Sequence, residues 1–339
     1  MYHRIAENIF KYKVELMGFS ILILMIFHSS GITSLFGLKD MLDIGVDIFL
    51  LLAGFTCTHS YVKSVNSETP HRYACFYKRR AWRVLPPFLI LYIIVYGYKY
   101  LLTDRGGWLA FLGRITMYDN LFRNCIDMWY VPALLLMYLL IPPYVDLCRK
   151  HKFVLCTPLL LYVVLVCMIL TGTFYYLPFR MAWARLPIFL AGINIYLFKD
   201  KECRIHPFCL LSLNVVCLAS AIAVMPYFHP LKYFLFVPVV LCIVYFYDLN
   251  SMFKPFFAFA GTFTLENYLI HWLCVGSLHI YVAPAMVAAI TAIFPFEILK
   301  VHSLGLQATV ASLLSYPIAL SLAYGYHRLL ERFLYCKKI

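Results

Sequence analysis

Long apolar runs recur along this chain and constrain its fold more than any other feature. Of the 339 residues, 63% are hydrophobic and only 13% are charged, and the mean hydropathy is +0.80. A soluble domain of this length could not keep so much apolar surface from water. The sequence therefore predicts an all-α fold, a polytopic bundle of membrane-spanning helices. No period-two strand pattern repeats, which argues against an outer-membrane barrel.

We predict ten spans with both termini in the cytoplasm, forming a single integral-membrane domain over residues 1–339. The spans lie at about 14–33, 42–62, 84–103, 126–147, 153–172, 183–199, 206–226, 230–248, 260–281 and 307–328. Most of the 29 Lys and Arg residues then fall on the cytoplasmic side, as the positive-inside rule requires. The apolar segment 284–298 is either re-entrant or an eleventh span that inverts the last helix. No N-terminal signal peptide is predicted.

The net charge of +13 raises the possibility of a nucleic-acid partner, which the distribution of the charge argues against. The basic residues flank apolar runs, and no basic domain with interleaved aromatic residues is present. We therefore expect contact with the bilayer and no nucleic acid. The 12 cysteines include no Cys-x-x-Cys pair, so we interpret them as small buried hydrophobes and expect no metal site.

A histidine, His28, closes the first apolar run. A titratable ring at membrane depth costs free energy unless a partner or a cavity receives it, which makes it a functional candidate. His28 lies near the outer end of the first span, and Asp47 lies near the outer end of the second. At ~1.5 Å per residue, both are ~7 Å below the outer surface. The two could form a carboxylate–imidazole pair that fixes the tautomer of a general base. Alternatively, Asp47 is interfacial and His28 bonds a carbonyl.

A basic run on the cytoplasmic side contains Arg80 and Arg83, which share a helix face. Two guanidinium groups on one face suit a phosphorylated ligand, because Arg binds phosphate oxygens in bidentate fashion. Basic clusters before a span are also routine topological anchors, which is the alternative interpretation of this run.

A third polar group lies in the run Gly261–His271. Thr264, Tyr268 and His271 share one helix face, and Glu266 lies on another, nearer the cytoplasm. A carboxylate, a phenol and an imidazole within two turns of a membrane helix indicate either a proton relay or a substrate site.

Two aromatic segments lie near the outer ends of their spans and contain Trp129 and Arg185. Aromatic residues at this depth usually form the interfacial belt, which is the favoured interpretation. A Trp beside a charged residue can also form a stacking platform for a sugar.

Taken in order, these segments resemble the acyltransferase 3 family of integral membrane acyltransferases, which O-acylate surface glycans. The resemblance covers nearly the whole chain. It is carried by His28, the run Gly45-Val-Asp47-Ile-Phe-Leu-Leu-Leu-Ala-Gly54-Phe55, Arg80-x-x-Arg83 with Pro86, the Trp129 span, Arg185-Leu-Pro-Ile-Phe-Leu-Ala-Gly192, Glu266-Asn-Tyr268-Leu-Ile-His271 and Leu330-Glu331.

The resemblance implies transfer of a short acyl group from cytoplasmic acyl-CoA to a hydroxyl of a cell-surface or lipid-linked glycan. The expected acyl group is acetyl. Arg80 and Arg83 would lie near the donor phosphates. His28 would take the hydroxyl proton or accept the acyl group itself. We expect Asp47, Glu266 and His271 to join it as catalytic residues, and Trp129, Arg185 and Tyr268 to bind substrate. The expected location is the bacterial inner membrane.

The chain departs from the family pattern at Met17, where relatives have Arg or Lys, at Ala53 and at Thr264. Lys13 lies one turn before Met17 on the same face. The Met17 substitution favours an alternative of another class, a catalytically inactive relative that serves as a glycan or small-molecule transporter or export component.

Overall fold

The computed structural model describes residues 1–28, 42–67, 70–97, 107–125, 128–201, 207–224, 232–249, 252–271 and 303–335, and all their regular elements are helical. The all-α prediction is therefore confirmed for these residues. The α-helices are α1 (Tyr2–His28), α2 (Ile44–Asn66), α3 (Arg72–Gly97), α4 (Gly107–Ile115), α5 (Tyr118–Phe122), α6 (Tyr130–Lys150), α7 (Thr157–Leu170), α8 (Arg180–Leu197), α9 (Pro207–Val224), α10 (Lys232–Phe246), α11 (Lys254–Thr262), α12 (264–271) and α13 (Ser303–Leu330).

Within these ranges, four helices are long and apolar enough to cross a membrane. They are α2, α3, α6 and the continuous helix Lys152–Leu170, in which a 3-10 turn leads into α7. The chain is thus a membrane protein. The count of ten spans and the cytoplasmic placement of both termini stay predictions, and the ambiguous segment 284–298 lies outside the described residues.

The chain divides into two compact units. The large unit comprises Met1–Lys13 and Asp47–Ser251, and the small unit comprises Val14–Val46 and Met252–Ile339. The division falls inside α1, next to Tyr12, whose backbone departs from helical geometry (φ −117°, ψ 21°).

In the large unit, two glycines let the backbones of α2 and α8 touch. A Cβ atom on Gly54 would overlap the carbonyl of Phe189, and one on Gly192 would overlap the carbonyl of Leu51. Small residues permit such close helix packing in membranes. This contact holds Asp47 of α2 and Arg185 of α8 in a fixed relation.

A carboxylate ties three helices of the large unit together at the end predicted to be cytoplasmic. Asp146 of α6 accepts hydrogen bonds from the hydroxyls of Tyr61 (2.8 Å) and Tyr73 (2.6 Å), and from the guanidinium of Arg72 (3.2 Å). Since Tyr73 and Arg72 begin α3, this cluster orients the helix that carries Arg80.

The first part of α1 is anchored to the end of α10. The Asn8 amide donates to the carbonyls of Val244 and Tyr245, both at 2.9 Å. The last four carbonyls of a helix lack partners within it, so Asn8 satisfies two groups that would otherwise be unpaired. The Tyr12 hydroxyl bonds the Asp248 carboxylate, which fixes the helix one residue before Lys13.

In the small unit, the rest of α1 packs directly on α11. A Cβ atom on Gly18 would overlap the carbonyl of Phe257, and one on Gly261 would overlap the carbonyl of Val14. Farther along α1, the Tyr316 hydroxyl of α13 donates to the carbonyl of Met25 (2.9 Å). These contacts bring the end of α1 beside α12.

Candidate active site

Two histidines meet in the small unit. Nδ1 of His28, at the end of α1, lies 3.1 Å from Nε2 of His271, at the end of α12. His271 is completely buried, whereas His28 is half-buried. Both rings were singled out from the sequence, but their mutual contact was not predicted.

The direction of this hydrogen bond follows from a backbone carbonyl. His271 Nδ1 lies 3.0 Å from the carbonyl oxygen of Asn267, which can only accept, so Nδ1 carries the proton. In neutral His271, Nε2 is then the acceptor, and His28 donates through Nδ1. The proton of neutral His28 is thereby held on Nδ1, and its Nε2 keeps a lone pair that can serve as a base.

Asn267 adds a buried polar side chain one turn from His271. Its amide nitrogen lies 3.6 Å from the sulfur of Met25, three residues before His28. The side chain is 0% exposed, and its Oδ1 has no hydrogen-bond partner among the described residues. An unsatisfied buried acceptor is costly, which makes this oxygen a candidate to receive a donor from a substrate.

Glu266 contacts a different histidine within the small unit. Its Oε1 lies 3.1 Å from Nδ1 of His327 on α13. His327 Nε2 lies in turn 3.4 Å from Glu331, which also pairs with Arg328 at 3.0 Å. The buried Glu266 is thus linked through His327 to the half-exposed Glu331.

In the large unit, Asp47 forms a salt bridge with Arg185. Asp47 Oδ1 and Arg185 Nε are 3.3 Å apart, and the side chains are 0% and 1% exposed. Asp47 also lies in the first turn of α2, where the helix dipole favours a negative charge.

Aromatic rings surround the Arg185 guanidinium. Its central carbon lies 3.9 Å from the ring centre of Tyr233 and 5.0 Å from that of Trp129. A desolvated cation over an aromatic face gains about 2 kcal/mol or more. Buried Lys232 follows the same pattern, with its ammonium 5.2 Å from the Tyr233 ring.

Arg80 and Arg83 of the large unit, which are predicted to face the cytoplasm, form a cationic cluster with Lys13. The Arg80 guanidinium lies 5.5 Å from the ring centre of Phe76 and 6.0 Å from that of Tyr138. Its Nε is buried and has no hydrogen-bond partner in the described ranges. Burial lowers the pKa of the Lys13 ammonium, and the charges of Arg83 and Arg80 lower it further. Neighbouring like charges of this kind suit a polyanionic ligand.

The predicted site residues fall into separate groups. The structure brings His28 together with His271, whose ring centre is 5.8 Å from that of Tyr268, and Asp47 together with Arg185. The predicted pairing of His28 with Asp47 stays a prediction, because it joins residues of the two units.

Sequence reasoning did not single out Asn267, His327 or Tyr233. His327 could have been noticed from its i, i+4 spacing to Glu331, which is typical of a helical pair. Tyr233 follows Lys232 at the start of an apolar run, a pattern that gives no hint of a contact with Arg185.

Comparison with known proteins gives one match. A family model described as an acyltransferase domain matches residues 16–325, a range that includes every site residue predicted from the sequence. No curated protein matches, and no solved structure matches.

Proposed function

The chain belongs to the acyltransferase 3 family, and on that premise we propose that it moves a short acyl group, acetyl foremost, from acyl-CoA to a hydroxyl of a cell-surface or lipid-linked glycan. It is a membrane acyltransferase for groups other than amino-acyl groups. We place it in the bacterial inner membrane, with the donor arriving from the cytoplasm.

The observation that carries the proposal is the hydrogen bond between His28 and His271. It holds the His28 proton on Nδ1 and leaves Nε2 as a base. In the reaction, Nε2 takes the proton of the acceptor hydroxyl while the hydroxyl oxygen attacks the thioester carbonyl. The C–S bond then breaks, and the leaving thiolate takes the proton back from His28, which gives CoA thiol and an O-acyl ester.

His271 acts through His28 in this scheme, as the group that fixes its tautomer. When His28 becomes an imidazolium, its Nδ1–H still donates to His271 Nε2, so the hydrogen bond persists through the proton transfer. The Tyr268 ring packs edge-on against His271 and would contact the acceptor beside it. Glu266, bonded to His327, is assigned a positioning role.

The donor phosphates would bind the guanidinium groups of Arg80 and Arg83. The support is the unpartnered, buried Arg80 Nε among the described residues and the like charge that Arg83 and Lys13 add. Arg forms bidentate, charge-assisted hydrogen bonds to phosphate. Trp129 and Arg185 would serve the acceptor, with Asp47 holding Arg185 in place.

The test uses full-length protein in lipid nanodiscs with acetyl-CoA, and measures release of CoA thiol with and without a glycan acceptor. His28→Ala should lower the rate at least 100-fold, since a general base contributes on the order of 10²–10⁴. The matched control is His151→Ala, because His151 is exposed at the end of α6. A His28→Ala protein that is folded and keeps its rate would overturn the mechanism.

The donor site needs a separate readout. Arg83→Ala and Arg80→Ala should weaken binding of CoA in equilibrium dialysis, whereas Arg149→Ala, at the end of α6, should not. Unchanged CoA affinity in both arginine variants would contradict the phosphate assignment.

A further inference from the structure

A cleft in the large unit lies on the side predicted to face away from the cytoplasm. It is a shallow depression open to the surface, and it is lined by Asn120, Asn124, Cys125, Trp129, Phe179, Arg180 and Met181. One wall comes from residues 120–125 together with Trp129, and the other from the start of α8. Neither the basic cluster nor the histidine pair contributes to it.

The two walls are joined by a hydrogen bond. The backbone N–H of Phe179 donates to Oδ1 of Asn124 at 2.7 Å. Both residues adopt left-handed backbone conformations, with φ of 56° and 52°, which cost free energy and persist only where the surroundings hold them. This bond occupies Oδ1, and the two N–H donors of the exposed Asn124 amide have no partner among the residues that the structure describes.

Arg180 supplies the formal charge of the cleft lining. One of its N–H groups donates to the carbonyl of Tyr175 at 3.2 Å, and a guanidinium has further donors beyond that one. Asp119, a carboxylate of the described part of this stretch, is bound by Arg114 at 3.4 Å and by Arg123 at 3.3 Å. Among the residues that the structure describes, the lining is therefore positively charged.

Trp129 supplies the aromatic surface. It is half-buried, and the guanidinium of Arg185 lies 5.0 Å from its ring centre. Arg185 is held by Asp47, so the indole is fixed by a buried ion pair behind it. An aromatic ring beside amide and guanidinium donors is suited to a sugar, which offers an apolar ring face and hydroxyl oxygens.

We propose that this cleft binds one sugar unit of an anionic glycan, with the ring against Trp129, a hydroxyl on the Asn124 amide and the acidic substituent on Arg180. The proposal rests on the proposed function and specifies its acceptor. The acidic substituent is either a carboxylate or a phosphate, since Arg180 recognises both by the same charge-assisted hydrogen bonds.

The test measures equilibrium binding of fluorescently end-labelled tetrasaccharides to full-length protein in nanodiscs, without acyl-CoA. The probes are tetragalacturonate, a phosphorylated maltotetraose and neutral maltotetraose. At least one anionic probe should bind tenfold or more tightly than the neutral one, and which one does so identifies the substituent. Equal binding of all three, or binding of none, would overturn the proposal.

Variants locate the binding. Arg180→Gln should lower the affinity for the preferred anionic probe about tenfold or more, because a hydrogen bond to a charged group is lost. Asn124→Asp keeps the acceptor for the Phe179 N–H, replaces the amide donors with a negative charge, and should weaken binding similarly. The control Arg149→Gln changes the same charge at the other end of α6. Unchanged affinity in folded Arg180→Gln and Asn124→Asp proteins would contradict the assignment.

Donor turnover separates this proposal from the proposed function. Wild-type protein that releases thiol from acetyl-CoA in a His28-dependent manner, yet binds no anionic glycan, refutes the cleft alone. Protein that binds the glycan through Arg180, yet shows no His28-dependent turnover, refutes the acyl transfer alone.

Discussion

Asp47 and Arg185 form a salt bridge from which water is excluded: the oxygen and nitrogen are 3.3 Å apart, and neither side chain is more than 1% exposed. Each charge is expensive to bury alone, and the partner offsets that cost. The pair also connects α2 to α8 beside Trp129, so its integrity should matter for stability and for the acceptor.

Removing one member of this pair should be strongly destabilising. We expect Asp47→Asn or Arg185→Met to lower the free energy of unfolding by about 3–5 kcal/mol, because a buried charge is left uncompensated. The double variant should lose less than the sum of the two. Thermal unfolding of purified protein in one detergent checks this, and additive losses would contradict the coupling.

Arg185→Lys tests the aromatic contacts separately from the charge. A lysine keeps the positive charge but not the planar guanidinium that stacks near Tyr233 at 3.9 Å. We expect Arg185→Lys to retain stability better than Arg185→Met, and to weaken glycan binding through the loss of support behind Trp129. A lysine variant identical to wild type in both measurements would argue against stacking.

The role of His271 as an orienting group predicts a graded series. His271→Gln can still present an acceptor to His28, so it should retain more activity than His271→Leu, which cannot. Adding His271→Leu to His28→Ala should cost little more, since residues that act as a unit are non-additive. Thiol release from acetyl-CoA provides the rates. Equal activity of the Gln and Leu variants would contradict the tautomer argument.

Donor binding should depend on pH through Lys13. Burial and the charges of Arg83 and Arg80 lower the pKa of Lys13, so it loses its proton at a lower pH than an ordinary lysine. The charged form attracts phosphate, and CoA affinity should therefore fall as pH rises through that lowered pKa. Lys13→Arg should abolish this alkaline loss, because a guanidinium stays protonated.

The control for this experiment is Lys63→Arg, at the end of α2, which exchanges the same residue types at an exposed position. CoA affinity measured by equilibrium dialysis across the pH series gives the profile. A Lys13→Arg profile that coincides with that of wild type would remove Lys13 from the donor site.

Helix contact in the small unit predicts a contrast between glycines. Gly18→Ala and Gly261→Ala each place a methyl group against a carbonyl of the facing helix, and should lower the melting temperature and the yield of folded protein. Gly325→Ala is the control, since nothing lies within 4 Å of the Cβ it would add. It should be neutral or stabilising by up to about 1 kcal/mol. Equal effects at all three positions would contradict the packing.

The helical fold was predictable because the interior of a membrane permits few backbone structures. With no water to satisfy the backbone, an apolar run long enough to cross must be a helix, as α2, α3 and α6 are. The sequence also indicated which polar residues are costly in such runs, and His28, Asp47, Glu266 and His271 are among them.

The contacts between site residues were harder to predict than the residues themselves. Helix rise gives the depth of His28 and Asp47 but not the direction in which each helix faces, which depends on packing. Glycines such as Gly54 and Gly18 decide that packing through backbone contacts, and no periodicity reveals which carbonyl a glycine will meet. The pairing of His28 with His271, and of Asp47 with Arg185, therefore required three-dimensional information.

The group that sets the orientation of the histidine pair is the carbonyl of Asn267, which belongs to the main chain. Every amino acid at position 267 would supply the same carbonyl oxygen. A substitution there would therefore change the amide side chain but not which histidine donates the hydrogen bond. The direction of the hydrogen bond depends on the helical backbone of α12, which places this carbonyl beside His271 Nδ1. A substitution of Asn267 that the buried site accommodates would thus leave the donor and acceptor roles of the two histidines as they are.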